Sequence, residues 1–467
     1  MLSRISLLIV PVVRGPFSQH GGMMRSVIAV VCSLTLVATS LADDWPQWMG
    51  PKRDSVWRET GILDAFPAEG LKINWRLPIG GGYAGPAVAG GKVFVTDRQS
   101  KPAATDATSP SANGSTPAIE RVLCLNEVDG KVLWTHEYDC PYTVSYPAGP
   151  RCTPTVDGDR VYTLGAQGHL FCLSVAEGSV LWSKQFLRDF KLKNAPVWGF
   201  ASHPLVDGNK LICLVGGPGS TVVAFDKRTG NELWRAIDST TAHGPGYGPP
   251  QIIEHNGRRI LLAFHPAGLS ALEPETGKPI WTYDWEINYG LTTPMPRQVK
   301  DELFLTTFYD GAVLLKMSTD GSSVSEVWKR KGKSEKKTDA IQSIMPTPWF
   351  DGDLVFGVDS YGELRGLDAR TGDRLWMTYA ATGGQSDRWA NAFLVRQWDR
   401  FFIPNEKGDL IIARLDRDGY HELSRTHLIE PTGAAQQRKV VWSHPAFANK
   451  SIILRNDAEI VSASLAK

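Results

Sequence analysis

Val222-Val-Ala-Phe-Asp-Lys-Arg-Thr-Gly-Asn-Glu-Leu-Trp234 decides how the rest of the chain is read. It holds an apolar strand over Val222 to Phe225, a tight turn at Thr229-Gly230 and a second strand ending on Trp234. The same events recur at Val122 to Trp134, Leu170 to Trp182, Leu269 to Trp281 and Leu364 to Trp376. Each copy has a glycine (Gly130, Gly178, Gly277, Gly372) four residues before its Trp, and Val313 to Trp328 is a looser copy with extra residues at Gly321-Ser-Ser. From Trp134 to Trp376 these indoles are spaced by 47 to 52 residues, the period of one four-stranded propeller blade.

Working outward, a hairpin repeats ahead of each copy. Its turns read Gly90-Gly91, Asp157-Gly158, Asp207-Gly208, Asn256-Gly257 and Asp351-Gly352, dipeptides that accept the positive φ of tight hairpins. Less regular equivalents fall at Lys300-Asp301, Asp399-Arg400 and Asn449-Lys450. First hairpins near 86, 154, 204, 250, 296, 348, 394 and 445 make eight units. The last unit, from Pro445, runs out after three strands, and Ile73-Asn-Trp75 resembles the missing fourth. An all-β, eight-bladed propeller over 73–467 is expected, its ring closed by an N-terminal strand so that no sheet edge is left open by the closure.

Composition fits a globular repeat protein: 467 residues, 42% hydrophobic, 21% charged, 16 Trp and 45 Gly. A net charge of +1 argues against a nucleic-acid binder, which needs a basic face. Residues 1–42 read as a secretory signal, with its start at Met23 or Met24: Arg25, an uncharged apolar run over 26–39, then Ser40-Leu41-Ala42, too short for a membrane anchor. They hold three Arg and no acid, so the mature chain carries about −2. Cys32 lies in a poor lipoprotein box, which points to an exported, periplasmic or secreted protein with no transmembrane segment. Residues 43–72, rich in Pro and Trp, read as an arm on the propeller surface, and 99–118 as a mobile insertion.

Export permits disulfides. Cys124, Cys172 and Cys213 sit mid-strand and read as core, whereas Cys140 and Cys152 share one loop and are the disulfide candidate, the alternative being two free thiols. No Cys/His spacing supports a metal. The run 329–337 carries six basic residues against one acid and reads as a solvated loop ahead of a docking patch.

The Ala224, Asp226, Thr229-Gly230 and Trp234 pattern, with Gly366, Asp368, Thr371-Gly372 and Trp376, resembles the tryptophan-docking motif of the PQQ-like propeller repeat family. That resemblance covers about 73–467 and implies the fold. It also implies that Trp75, Trp134, Trp182, Trp234, Trp281, Trp328 and Trp376 pack between blades and bind nothing. The family contains quinoprotein dehydrogenases, which hold pyrroloquinoline quinone and calcium on the axis. It also contains the non-enzymatic propeller lipoprotein of the outer-membrane barrel-assembly machinery.

Function is sought where the loops converge on the central mouth. The residues before the innermost strands read Gly82-Tyr83-Ala-Gly-Pro86, Tyr146-Pro-Ala-Gly-Pro-Arg151, Trp198-Gly-Phe-Ala-Ser-His203 and Gly246-Tyr247-Gly-Pro-Pro. They continue with Asn288-Tyr289-Gly, Arg388-Trp389-Ala-Asn391 and Trp442-Ser-His444. Seven of eight blades thus bring an aromatic, and Gln342-Ser-Ile-Met-Pro346 is the exception. Aromatics with a few polar groups suit a planar ligand or a peptide; the plain alternative is loop packing. No catalytic residue stands out. Gly80-Gly-Gly82-Tyr-Ala-Gly85 matches a dinucleotide fingerprint by letter, but it precedes a strand and not a helix.

These residues favour an exported scaffold that binds a protein or small ligand at its mouth, with no cofactor expected. A quinone- and calcium-dependent dehydrogenase is the alternative, and it lacks the adjacent cysteine pair and a clear calcium set, Asn391 and Asp387 being the nearest suggestions. A carbohydrate-binding propeller is a second alternative.

Overall fold

The structure, a computed structural model, describes residues 43–100, 117–241 and 243–467. The signal segment read over 1–42 and most of the 99–118 insertion lie outside them. What is described of that insertion is strand: Lys92–Ser100 pairs with Ala118–Asn126, and Ser100 faces Ala118.

Eight four-stranded antiparallel sheets form the ring. Blade 3 shows the pattern: Leu205–Asp207 innermost, then Lys210–Leu214, Val222–Asp226 and, outermost, Glu232–Ala236. Blade 8 is composite. Ala446–Ala448, Ser451–Arg455 and Glu459–Ser464 come from the C-terminus, and Ile73–Pro78 adds the outer strand. The innermost strand of blade 1, Ala87–Ala89, lies against those of both blade 2 and blade 8, which closes the circle. The inner strands are buried on both faces and the outer ones alternate, as packed sheets require.

The repeated Trp works by a bulge. Ala224 faces Trp234 and Phe225 faces Glu232, so Leu233 is an extra residue. The same slip precedes Trp134, Trp182, Trp281, Trp328 and Trp376. A bulge bends and twists its strand; here it leaves Leu133, Leu181, Leu233, Val327 and Leu375 exposed on the rim. The indole lies on the turn of the following blade. A Cβ on Gly178 would come within 2.5 Å of the Trp134 ring, and one on Gly230 within 2.7 Å of Trp182. Both glycines also hold left-handed φ, +71° and +74°, so their side-chain-free, permissive backbone is needed twice over. Trp182 Nε1 then donates to the Lys227 carbonyl at 3.0 Å, and Trp75, Trp134, Trp281, Trp328 and Trp376 make the matching bond to the next blade. Cys124 and Cys172 face Trp134 and Trp182, where a small side chain leaves room for the ring.

Blade 7 breaks the rule for a topological reason. Blade 8 takes its outer strand from the far end of the chain, so it has no Thr-Gly turn for an indole to rest on. Ser424 stands at the Trp position, and residues 43–72 fill the seam. Ile62 bridges Ala466, the Leu63 amide donates to the Leu465 carbonyl, and Phe66 packs against Phe402. The same segment crosses the end of the ring opposite the mouth. Trp45 exchanges backbone bonds with Val88, Val56 bridges Arg396, and Arg53 donates to the carbonyls of His203 and Pro204.

Two expectations are corrected. Cys140 and Cys152 are free, buried thiols. Cys140 follows the outermost strand of blade 1 and Cys152 precedes the innermost strand of blade 2. Their loop crosses a blade's width, about 14 Å for four strands, whereas a disulfide needs α-carbons within about 7 Å. The blade 7 hairpin turns at Trp398-Asp399, one residue earlier than its Asp399-Arg400 reading, and Trp398 adopts φ +56° there with 62% of its surface exposed.

Candidate ligand-binding mouth

The loops that precede the innermost strands converge on a cavity of about 180 Å³. Tyr83, Tyr146, Arg151, Trp198, His203, Tyr247, Trp389, Trp442 and His444 line it, so nine of the twelve residues selected from sequence meet there. The other three lie outside the lining. Tyr289 is half exposed and packs on Tyr309, Arg388 sits over the Trp389 ring at 4.7 Å, and Asn391 is fully buried.

The aromatics touch one another in a chain around the mouth. Tyr146 lies 5.8 Å from Trp389 and 6.0 Å from Trp442, Tyr83 lies 6.3 Å from Trp442, and Trp198 packs edge-on to Tyr247 at 5.7 Å. Tyr146, Tyr289 and Trp389 all hold left-handed backbones, φ +53°, +58° and +64°. Bulky side chains avoid that region, and where it persists it clusters at functional sites.

Sequence reasoning missed the floor. Trp48 lines the cavity from the N-terminal segment, stacked on His203 at 4.6 Å and edge-on to His444 at 5.4 Å. That segment has no repeat, so no periodicity points to it; the Pro- and Trp-rich composition of 43–72 is its one signal. Tyr309, Phe393, Ile344 and Met345 complete the wall. The blade without a mouth aromatic therefore supplies aliphatic surface instead.

Polar groups here are few. Burial holds the His444 imidazole down to about 3 and the His203 imidazole far below its usual range, with His444 opposing it further, so both rings are neutral. Burial also pushes the Tyr83 phenol up to about 12, against the pull of Arg151. Arg151 is the one formal charge in the lining.

The basic run at 329–337 is largely spent on the fold. Lys329 lies over Trp285, Arg330 pairs with Asp373, Lys331 with Asp310, and Lys336 lies over Tyr361.

Against this geometry stand the comparisons with known proteins. A family model described as outer membrane protein assembly factor BamB matches residues 118–378, more than half of the chain. The outer membrane protein assembly factor BamB of Shewanella oneidensis is 23% identical over 268 residues, which cover 56% of this chain and 65% of the relative. The chain thus spans just under two thirds of that protein's length. Among solved structures, BamB from Moraxella catarrhalis matches with a TM-score of 0.55 and 14% identity over 84% of this chain and 99% of that one. Quinohemoprotein alcohol dehydrogenase from Comamonas testosteroni matches with a TM-score of 0.59 and 14% identity over 91% and 81%. At such identities both structures speak for the fold alone.

The residues at the mouth do not fit a calcium-held quinone. Calcium takes six to eight oxygen ligands, with carboxylates prominent, and the cavity lining holds no Asp, Glu or Cys. The nearest sequence candidates fail as well: Asn391 is buried away from the lining, and Asp387 does not reach it.

Proposed function

Since the chain belongs to the family described as outer membrane protein assembly factor BamB, we propose that it is an exported, non-enzymatic scaffold that binds a protein partner through its aromatic mouth and serves outer-membrane protein assembly. The observation that carries this reading is the mouth itself. Seven Trp and Tyr side chains from the blade loops, together with Trp48, bound a largely apolar cavity on the axis, and none is consumed as a docking tryptophan. Aromatic anchors in a central pocket are what protein interfaces concentrate their binding energy on. Six of the seven docking indoles hydrogen-bond to the next blade, and four of the six basic residues of 329–337 are engaged by neighbouring side chains, which favours the mouth as the contact surface. The periplasm is the compartment where such a scaffold would act, and no helix among the described residues is long and apolar enough to cross a membrane.

The test is replacement of the gene by a Trp389→Ala/Trp442→Ala version in the native host. Reduced levels of outer-membrane β-barrel proteins, with the variant folded and present at normal amount, support the reading. Unchanged levels, beside a defect in the full deletion, reject the mouth as the working surface. Titration with pyrroloquinoline quinone and calcium addresses the alternative, and no saturable binding is expected.

A further inference from the structure

Arg151 is an unusual wall residue. Its guanidinium is held by four backbone carbonyls: Nε donates to Trp198 at 2.8 Å, Nη2 to Ser145 at 2.8 Å and Tyr146 at 2.6 Å, and Nη1 to Gly149. It stacks over Tyr83 at 5.1 Å. Among the described residues no carboxylate pairs with it. Arg388, the other mouth arginine, is matched by Glu335 at 2.8 Å. Glu406 is taken by Arg438 and the Trp442 indole, and Asp457 accepts the Gly82 amide. Both mouth histidines are neutral. The cavity therefore carries one fixed positive charge, already oriented, and no negative charge to balance it. One N–H of Nη1 has no acceptor in this arrangement.

Size narrows the occupant. An apolar cavity of about 150 Å³ holds one benzene, and this one measures about 180 Å³. It accommodates a single aromatic ring and is too small for a folded loop. Its walls are π-faces and edges at the separations aromatic pairs prefer.

We infer that the mouth recognises a polypeptide segment in which an aromatic side chain lies next to a carboxylate, the ring entering the cavity and the carboxylate meeting Arg151. This rests on the mouth being the binding surface and adds the chemistry of the partner. The carbonyl cradle pre-organises the guanidinium, so little side-chain entropy is lost when the acid arrives. The same cradle explains why a loop with Tyr146 at positive φ is held in place.

The experiment is isothermal titration of the full mature protein with four short capped peptides, alike except for one pair: Phe-Glu, Phe-Gln, Phe-Lys and Leu-Glu. Phe-Glu should bind about tenfold or more tighter than Phe-Gln, equivalent to about 1.4 kcal/mol, with Phe-Lys weaker again. The Phe-Glu advantage should shrink as salt is raised from about 50 mM to 500 mM, over which the Debye length falls severalfold. Trp442→Ala should weaken every Phe peptide, whereas Arg151→Gln should abolish only the preference for Glu. Equal binding of the three Phe peptides overturns the acidic half while the mouth remains the site. Binding unaffected by Trp442→Ala overturns the mouth reading itself. No measurable binding by any peptide up to about 1 mM, about −4 kcal/mol, overturns the inference and leaves the gene-replacement result standing alone. Because the peptide series runs on the unmodified protein, a misfolded Arg151→Gln variant does not decide the outcome.

Discussion

The Ser424 hydroxyl accepts the backbone amide of Phe66 at 2.8 Å, 358 residues away along the chain. Ser424 occupies the position that holds a docking Trp in the blades before it, and Phe66 comes from the N-terminal segment that seals the ring. The contact marks the seam where one device replaces another. A blade completed by the N-terminal strand cannot offer the glycine turn, so the chain's own beginning packs there.

Removing this latch should destabilise the whole ring. Phe66→Ala strips partly buried aromatic surface and should cost about 1–3 kcal/mol. Ser424→Ala removes one acceptor and should cost about 1 kcal/mol. Both are read as lowered Tm by calorimetry. Ser424→Trp should be worse than Ser424→Ala, since Phe66 already lies in that space.

The indole-on-glycine contact should behave as a matched pair. Trp182→Ala is expected to cost about 3–5 kcal/mol. Gly230→Ala should cost more than about 1 kcal/mol, because the added carbon meets Trp182 and the φ of +74° is unsuited to alanine. In the double variant the steric part of the Gly230→Ala penalty should vanish, so the two costs should sum to less than their separate values in a denaturant-based double-mutant cycle.

All five described cysteines are buried and unpaired. Burial pushes the Cys124 thiol up to about 12 and the Cys140, Cys152 and Cys213 thiols higher still. The native protein purified without reductant should leave a thiol reagent unreacted. After unfolding in denaturant all five should titrate, and reductant should not shift Tm. A missing pair of thiols, restored by reductant, would reinstate the Cys140–Cys152 bridge.

Acid should loosen the floor of the mouth. His444 is buried with its folded value near 3, below the ordinary 6.5, and His203 is lowered in the same sense. The unfolded chain therefore binds more protons below pH 6.5, so stability falls as pH drops from about 6.5 toward 3. His444 alone should contribute about 1.4 kcal/mol of loss per pH unit once well below 6.5. His444→Gln should flatten the pH dependence of Tm between pH 6 and about 4, and an unchanged slope would show that this imidazole titrates normally.

Much of the fold was legible because its device is local. Thr229-Gly230 and Trp234 lie within one hairpin, and a spacing of four residues repeated at blade period declares the ring. The mouth was legible in part for the same reason: Tyr83, Tyr146, Trp198, Tyr247, Trp389 and Trp442 occupy one recurring position ahead of the inner strands. The floor was not, since Trp48 belongs to a segment without period whose partners, His203 and His444, lie far along the chain. The disulfide reading failed on geometry that spacing hides. Cys140 and Cys152 are close in sequence but lie on opposite margins of a blade. Ser424 illustrates the converse, a gap in the pattern whose cause is the route of the chain.

Photo-crosslinking in the intact cell envelope tests the central claim most directly. A benzophenone amino acid is placed singly at Trp442 and Tyr146 in the mouth, at Trp398 on the far side, and at the exposed Lys333 in the basic loop. If the mouth is the contact surface, irradiation yields the same discrete adduct, with a protein of outer-membrane assembly, from Trp442 and Tyr146 and not from Trp398 or Lys333. Adducts from Trp398 or Lys333 alone, with the mouth positions silent, would contradict the account and move the contact to another face of the ring.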